Sequence, residues 1–196
     1  MTKKTRIANL KVRKAARGAK QRSEDMLFAG FGGQGIMFIG KLLAQAGLSA
    51  DKYVSWMPSY GAEVRGGTAY SMTKISSGEI ASPVVTNPDI LIAMNKPSFV
   101  KYAGTVKEGG ILIANRSLID EACKRKGMKC VSIPMTDIAS KLGNTRCANM
   151  VAVGALVKRS KMLSMRHVVT ALKDILKGKE ELFLLNKKAL EKGYKF

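Results

Sequence analysis

The chain has 196 residues, and 46% of them are hydrophobic, so it is long and apolar enough to bury the core of one ordinary domain. It carries 34 Lys and Arg residues against 14 Asp and Glu residues, which gives a formal net charge of +20. Such an excess is compatible with a nucleic acid, an anionic membrane surface or an acidic protein as the partner. No apolar run approaches the roughly 18–20 residues of a membrane span, and the N-terminus lacks the apolar centre of a secretory signal, so we expect a cytoplasmic protein outside the membrane.

The cysteines indicate neither a metal site nor a disulfide framework. Cys123, Cys130 and Cys147 form no CxxC pair, and their odd number argues against a set of disulfides. We therefore expect reduced and mostly buried thiols. Their spacing also fits no familiar iron–sulfur motif, so we expect no cluster and no other metal on this chain.

Residues 1–25 differ from the rest of the chain in composition. They carry nine basic and two acidic side chains, and their few apolar positions cannot offset the entropy of ordering. We predict a flexible basic arm over 1–25 and a single α/β domain over 26–196. A solvated tail, docking onto an acidic partner subunit and nucleic-acid binding remain open for the arm, although no aromatic side chain interleaves its charges to stack on bases.

After residue 25, apolar strands alternate with helices. The predicted strands cover 26–29, 52–56, 68–75, 89–94, 111–114 and 129–133, and the predicted helices cover 36–46, 98–102, 118–126, 136–142, 149–157, 164–176 and 179–192. Ser117 is a plausible cap for the helix over 118–126. This alternation predicts a three-layer α/β/α sandwich around a mostly parallel, mixed central sheet.

A glycine-rich turn follows the first strand. Four glycines fall within six residues, at Gly30, Gly32, Gly33 and Gly35. Strand, glycine turn and helix in this order can aim backbone N–H groups at an anion, and the spacing also satisfies the dinucleotide-binding pattern. That pattern calls for an acidic residue at the tip of the second strand, where this chain has none. A tight turn with no ligand is the structural alternative.

Other polar segments follow the predicted strands and should meet this turn. Because the carboxyl ends of parallel strands lie at one edge of a sheet, we expect Gly30–Gly35, the loop Ser59–Gly67, Asn95 and Asn115 to converge there. The loop combines an aromatic residue, a carboxylate, a guanidinium and three glycines: Tyr60, Glu63, Arg65, Gly61, Gly66 and Gly67. A surface turn with incidental charges is the alternative interpretation of this loop.

The sequence lacks the usual parts of a self-sufficient catalyst. The single histidine, His167, lies in a predicted amphipathic helix, where a structural role is the common one. There is no GxSxG, HExxH or GxxxxGK[ST] motif. We therefore expect this chain to be a component that contributes one wall of a site formed together with other polypeptides.

Five blocks of sequence resemble the gamma subunit of the 2-oxoacid:ferredoxin oxidoreductases. They occur in the family's order: GFGGQGI at 30–36, YGAEVRGGTA at 60–69, SPVVTNPDILIAMN at 82–95, EGGILIANRSLI at 108–119 and NMVAVGAL at 149–156. The resemblance covers about residues 26–195 and leaves the basic arm outside. The loop form Glu63-Val64-Arg65-Gly66-Gly67 is more similar to the 2-oxoglutarate or branched-chain members than to the pyruvate members.

The resemblance implies a subunit of a larger enzyme that forms an acyl-CoA from a 2-oxoacid and passes electrons to ferredoxin. Thiamine diphosphate, Mg²⁺ and [4Fe–4S] clusters would belong to alpha, beta and possibly ferredoxin-like delta subunits, and coenzyme A would be a co-substrate. It implies no nucleic-acid or membrane partner. On this chain, the resemblance implies cofactor-side roles for Gly30, Gly32, Gly33, Gln34, Gly35, Tyr60, Gly61, Gly66, Gly67 and Asn95.

Glu63 and Arg65 are the candidates for a direct part in the chemistry that the resemblance implies. Arg65 could pair with a phosphate or a carboxylate, and Glu63 could fix Arg65 or a cation of the partner. Two alternatives stay open at this point: a free-standing Rossmann-like dinucleotide-binding oxidoreductase and a basic nucleic-acid-binding module.

Overall fold

A computed structural model describes residues 21–59, 68–121 and 126–196. Residues 1–20 of the arm predicted over 1–25 lie outside the described residues, as do the loop residues 60–67 and residues 122–125. Cys123, Tyr60, Gly61, Glu63, Arg65, Gly66 and Gly67 are therefore without a structural account.

The centre of the fold is a six-stranded mixed sheet with the order β2-β3-β1-β4-β5-β6. Its strands are β1 (Ser23–Phe31), β2 (Tyr53–Ser59), β3 (Thr68–Ser76), β4 (Ile90–Ala93), β5 (Ile111–Asn115) and β6 (Lys129–Ile133). Strands β1, β4, β5 and β6 are parallel, and β3 runs antiparallel to both of its neighbours, β1 and β2. The predicted mostly parallel, mixed sheet is confirmed.

In the described part of the chain, six helices cover the sheet, more heavily on one face than on the other. They are α1 (Ile36–Ser49), α2 (Lys96–Tyr102), α3 (Met135–Lys141), α4 (Ala148–Val157), α5 (Met165–Ile175) and α6 (Glu180–Tyr194). Helices α1 and α3 to α6 enclose the larger core, whereas α2 packs over a smaller one. Along β1, Met26 and Phe28 enter the larger core and Leu27 enters the smaller one, which is the alternation of a strand buried on both faces.

Helix α4 is the centre of the larger core. Every residue from Ala148 to Val157 is buried, as expected for a helix that is apolar all round. Gly154 lets α6 approach closely, because a Cβ at this position would collide with the backbone carbonyl of Leu190. Gly193 of α6 makes the reciprocal approach to the carbonyl of Val151.

His167 has the structural role that the sequence favoured. Its Nδ1 lies 3.3 Å from the backbone nitrogen of Ser164 and 3.1 Å from the hydroxyl oxygen of that residue, completing a capping box at the start of α5.

Two boundaries differ from the predictions. Strand β1 begins at Ser23, paired with Ser76, so the last three residues of the predicted arm belong to the sheet. The helix predicted over 118–126 is wrong for residues 118–121, which form a turn and an irregular segment. Ser117 does not cap a helix there, because its hydroxyl accepts a hydrogen bond from the backbone N–H of Asp137 instead (3.2 Å).

Candidate functional site

The carboxyl edge of the sheet brings together the segments that the sequence singled out. The glycine turn follows β1, Asn95 follows β4, and Asn115 is the last residue of β5. They are linked directly, because Asn95 Nδ2 donates to Gln34 Oε1 (3.1 Å) and Asn115 Nδ2 donates to the carbonyl of Met94 (3.2 Å). Ser59 ends β2 and Thr68 opens β3 at the same edge, so both ends of the predicted loop lie there.

Gln34 holds the glycine turn in place. Its Oε1 accepts from the backbone N–H of Phe31 (2.7 Å) as well as from Asn95, and its Nε2 lies 3.4 Å from the carbonyl of Met94. Gly30 leaves room for this side chain, since a Cβ there would stand 2.6 Å from Gln34 Oε1. The amide of Gln34 is thus bonded within the chain.

The two asparagines at the edge are also used internally. Asn95 is buried, and its Oδ1 accepts from the backbone N–H of Ser98 (2.9 Å), which caps α2. Asn115 Oδ1 accepts from the backbone N–H groups of Met135 (3.1 Å) and Thr136 (3.4 Å), so it caps α3. Both side chains shape the edge by fixing where helices begin.

The remaining glycines of the turn face outward or adopt a left-handed conformation. Gly32 and Gly33 are exposed, and Gly33 has φ of 90° with open space around it. Gly35 has φ of 73° and is the N-cap of α1. No described side chain caps α1, so its first N–H groups, which have no partner within a helix, face the turn.

A cavity of about 210 Å³ opens beside the turn. It is lined by Gly33, Gln34, Met94, Leu118, Thr136, Thr145, Arg146 and Ala148. Thr136 of α3 and Ala148 of α4 place the starts of these two helices at the cavity, and Gly33 and Gln34 come just before α1. The exposed guanidinium of Arg146 adds a full positive charge to an opening that also offers two hydroxyl groups.

Asn149 lies next to this cavity with an unsatisfied polar atom. Its side chain packs on Gly35, and its Oδ1 is buried without a hydrogen-bond partner among the described residues. A buried orphan acceptor costs about 1–3 kcal/mol and is rare in a native structure. Its position beside the uncapped start of α1 marks the turn as a place where a further polar group belongs.

The structure adds residues that the sequence analysis missed. Thr136 and Arg146 line the cavity and Asn149 contacts Gly35, although none of them lies in the glycine turn or the loop. Thr136 could have been found from the topology, because it follows β6 and so lies at the same edge as the other strand ends. Arg146 and Asn149 reach the edge only because α4 begins there.

The described residues contain neither a metal-binding cluster nor an activated thiol at Cys147. Within them, no group of three or more His, Cys, Asp and Glu side chains is arranged to hold a metal ion. Burial raises the pKa of the Cys147 thiol, which donates to the carbonyl of Asn144, so this cysteine is not activated. Over the same ranges, the helices are too short or too polar to cross a membrane.

The chain is an α/β domain with an open sheet, and its candidate site lies at the carboxyl ends of the strands, where such sheets bind ligands. Residues 25–196 match the family described as pyruvate ferredoxin/flavodoxin oxidoreductase, and the chain belongs to this family. The resemblance stated from the sequence blocks is confirmed, and it favours the subunit interpretation over the dinucleotide-binding and nucleic-acid-binding alternatives.

Individual relatives give the same result. The chain is 37% identical over 166 residues to ketoisovalerate oxidoreductase subunit VorA of Methanothermobacter marburgensis, a match that covers 84% of this chain and 34% of VorA. It is 36% identical over 170 residues to 2-oxoglutarate synthase subunit KorC of Methanothermobacter thermautotrophicus, covering 83% of this chain and 90% of KorC. The chain thus spans about a third of VorA but nearly all of KorC.

A solved structure supports the fold. The 2-oxoglutarate:ferredoxin oxidoreductase of Magnetococcus marinus, with 2-oxoglutarate, coenzyme A and succinyl-CoA bound, superposes with a TM-score of 0.80 at 28% identity. The match covers 88% of this chain and 30% of the Magnetococcus chain. The α/β fold predicted from the sequence is therefore the fold of this family.

Proposed function

We propose that this chain is the gamma subunit of a 2-oxoacid:ferredoxin oxidoreductase complex in the cytoplasm. The complex converts a 2-oxoacid and coenzyme A to an acyl-CoA and CO₂, and the electrons released on cleavage of the carbon–carbon bond pass to ferredoxin. The alignment with KorC carries this proposal, since it extends over 90% of a protein named as a subunit. We favour 2-oxoglutarate or a branched-chain 2-oxoacid as substrate, because KorC and VorA are named for these two classes.

The proposal requires partner polypeptides. In VorA and in the Magnetococcus protein, the region that matches this chain is only about a third of a longer polypeptide. KorC is named as a subunit of 2-oxoglutarate synthase, which supports further polypeptides in the complex. We assign thiamine diphosphate, Mg²⁺ and the [4Fe–4S] clusters to alpha, beta and delta partners, which is supported by the lack of a metal-binding group among the described residues.

In this proposal, the role of the chain is to hold coenzyme A at the carboxyl edge. A phosphate group fits the cavity beside the glycine turn, because the uncapped first turn of α1 offers N–H donors and Arg146 offers a guanidinium. Gly33 leaves the backbone accessible to a ligand, and Asn149 presents an amide beside Gly35. Tyr60, Glu63 and Arg65 would belong to the adjoining loop, whose ends lie at this edge.

Expression of this chain with and without its partners tests the proposal. The assembled complex should reduce ferredoxin only with coenzyme A and a 2-oxoacid, and a panel of 2-oxoglutarate, 2-oxoisovalerate and pyruvate should identify the substrate. The chain alone should not catalyse the reaction. Saturable NAD or FAD binding by the isolated chain would instead support the dinucleotide-binding alternative.

A matched pair of variants tests the coenzyme A side. Arg146→Gln should raise the KM for coenzyme A about tenfold, the loss of one charge-assisted phosphate contact. Arg166→Gln, at an exposed arginine of α5, is the control and should leave the KM unchanged. Equal effects of Arg146→Gln and Arg166→Gln would remove Arg146 from the site.

Arg65→Ala should lower the turnover of the assembled complex without unfolding the chain.

A further inference from the structure

A second concave surface lies away from the carboxyl edge, where the last helix meets α3 and α5. It is a groove of about 360 Å³ lined by Leu142, Met165, Tyr194, Lys188, Glu191, Lys192 and Lys195. Beside the groove, Lys158, which comes just after α4, donates to the carbonyl of Lys195 (3.2 Å). The groove shares none of its lining residues with the candidate coenzyme A cavity.

The groove combines an apolar floor with a basic rim. Leu142 and Met165 are half-buried, and Tyr194 is 42% exposed. A floor of this kind and a volume of this size suit one large apolar side chain as an anchor. An apolar hollow that nothing in the described chain fills is an unsatisfied packing surface.

The rim is strongly biased toward positive charge. Lys188, Lys192 and Lys195 are exposed and form no salt bridge within the described chain, and their spacing places them along one face of the helix end. The single carboxylate of the groove, Glu191, is 3.8 Å from Lys187, which further offsets its charge.

Charge is unevenly distributed along α6 as well. Two of its three acidic residues, Glu180 and Glu181, are in the first turn, whereas its lysines lie from Lys187 onward, beside the third, Glu191. The helix dipole accounts for cations at a helix C-terminus. The dipole does not explain why these lysines surround an apolar hollow. A pocket that takes an apolar anchor commonly has a polar or charged rim of this kind.

We infer that this groove docks an acidic segment of the partner polypeptide, with a large apolar side chain in the hollow and carboxylates against the lysine rim. The inference rests on the proposed function for the existence of that polypeptide, and on charge complementarity for the chemistry of the segment. Nucleic acid is the poorer fit, because its recognition uses an extended basic track with several stacking aromatics, and Tyr194 is the single aromatic residue lining this groove.

Charge reversal at the rim tests the inference. Lys188→Glu with Lys192→Glu should raise the Kd for the partner polypeptide of the complex at least about tenfold, and should weaken the dependence of binding on salt. The control is Lys173→Glu with Lys177→Glu, an exposed pair with the same spacing near the end of α5, and its Kd should change less than about twofold. Both pairs should keep the circular dichroism spectrum and melting temperature of the parent chain.

The outcomes separate this inference from the proposed function. If the Lys188/Lys192 double variant binds the partner with the same Kd as the parent chain, the docking surface is wrong but the proposed function stands. An equal loss of binding in the Lys173/Lys177 control would have the same meaning. Rim-dependent binding of a single-stranded oligonucleotide with unchanged partner binding would also overturn it. Failure of the parent chain to bind any partner polypeptide would contradict the proposed function itself, and with it this occupant.

Discussion

Amide side chains, rather than charged ones, organise the candidate site at the scale of single residues. Gln34, Asn95 and Asn115 each join two or more segments at the carboxyl edge, and none of them changes charge with pH. Their hydrogen bonds fix the glycine turn against the strand ends. Asn149 is the exception, because its buried Oδ1 remains unpaired within the described chain.

Asn149→Leu separates stability from function at this position. Leucine has a similar shape and removes the unsatisfied acceptor, so the free energy of unfolding should stay equal or rise by about 1 kcal/mol. The KM of the assembled complex for coenzyme A should rise, because the amide beside Gly35 is lost. Thermal unfolding and coenzyme A titration measure the two effects. A destabilisation of the chain together with an unchanged KM would show that the amide serves the fold alone.

Glu24 gives a prediction for the dependence of stability on pH. Burial raises its pKa, and Asp89 adds to this, although hydrogen bonds from Ser160 and Lys161 oppose the shift. The folded chain therefore takes up a proton at a higher pH than the unfolded chain does. The contribution of Glu24 to stability is greatest below its ordinary pKa and is lost as the pH rises through the raised value.

Glu24→Gln should remove this dependence. As the pH falls toward the ordinary pKa of a glutamate, the parent chain should gain stability relative to the variant, because only the parent has this carboxyl group to protonate. Urea unfolding at several pH values measures the difference. Parallel stability curves for the two chains would mean that the pKa of Glu24 is the same in the folded and unfolded states.

At the scale of elements, close approach of the helices determines the larger core. Helices α4 and α6 cross where Gly154 and Gly193 remove side chains from the contact. Helix α1 packs on β2 and β3 in the same way at Gly40, where a Cβ would stand 2.5 Å from the indole nitrogen of Trp56. These contacts position the helix ends that line the candidate site.

Gly154→Ala tests the crossing of α4 and α6. Alanine gains about 1 kcal/mol in helix propensity over glycine, but the collision with the carbonyl of Leu190 involves backbone that cannot rotate away. Overpacking costs about 1–3 kcal/mol or more, so we expect a net loss of stability. Gly104→Ala is the control, since a Cβ there meets no atom within 4 Å. Equal unfolding midpoints for the two variants would contradict the tight crossing.

At the scale of the whole molecule, we predict that residues 1–20 can be removed without loss of the folded domain. The family match begins at residue 25, and the first described contacts come from Gln21 and Arg22 to the end of β3. Residues 1–20 contribute eight basic residues and no acidic residue, so their removal lowers the formal net charge from +20 to +12.

Deletion of residues 1–20 should therefore leave the catalytic rate of the assembled complex and the unfolding midpoint of the domain unchanged. Weak binding of the chain to a single-stranded oligonucleotide should fall and lose part of its salt dependence, since that binding follows the number of cations. Activity assays and oligonucleotide titrations at two salt concentrations measure both. A complex that no longer assembles would instead assign the arm to the partner interface.

Much of the fold could be predicted because it depends on local patterns. Apolar runs such as Ile90–Ala93 indicated buried parallel strands, and all six strands and all six helices of the described chain were located to within a few residues. The helix predicted over 118–126 failed at its start for a non-local reason. Ser117 bonds a backbone group twenty residues away, and no local propensity contains that information.

By itself, the sequence determined the alternation of strands and helices, the glycine turn and membership of the family, because these follow from periodicity and from residues close together in the chain. Only the tertiary structure decided that β3 runs antiparallel between β2 and β1, that Gln34 is bonded inward, and that Arg146 and Asn149 join the glycine turn. The physical reason is distance along the chain. Asn149 lies more than a hundred residues beyond Gly35, and packing of α4 under the sheet brings them together.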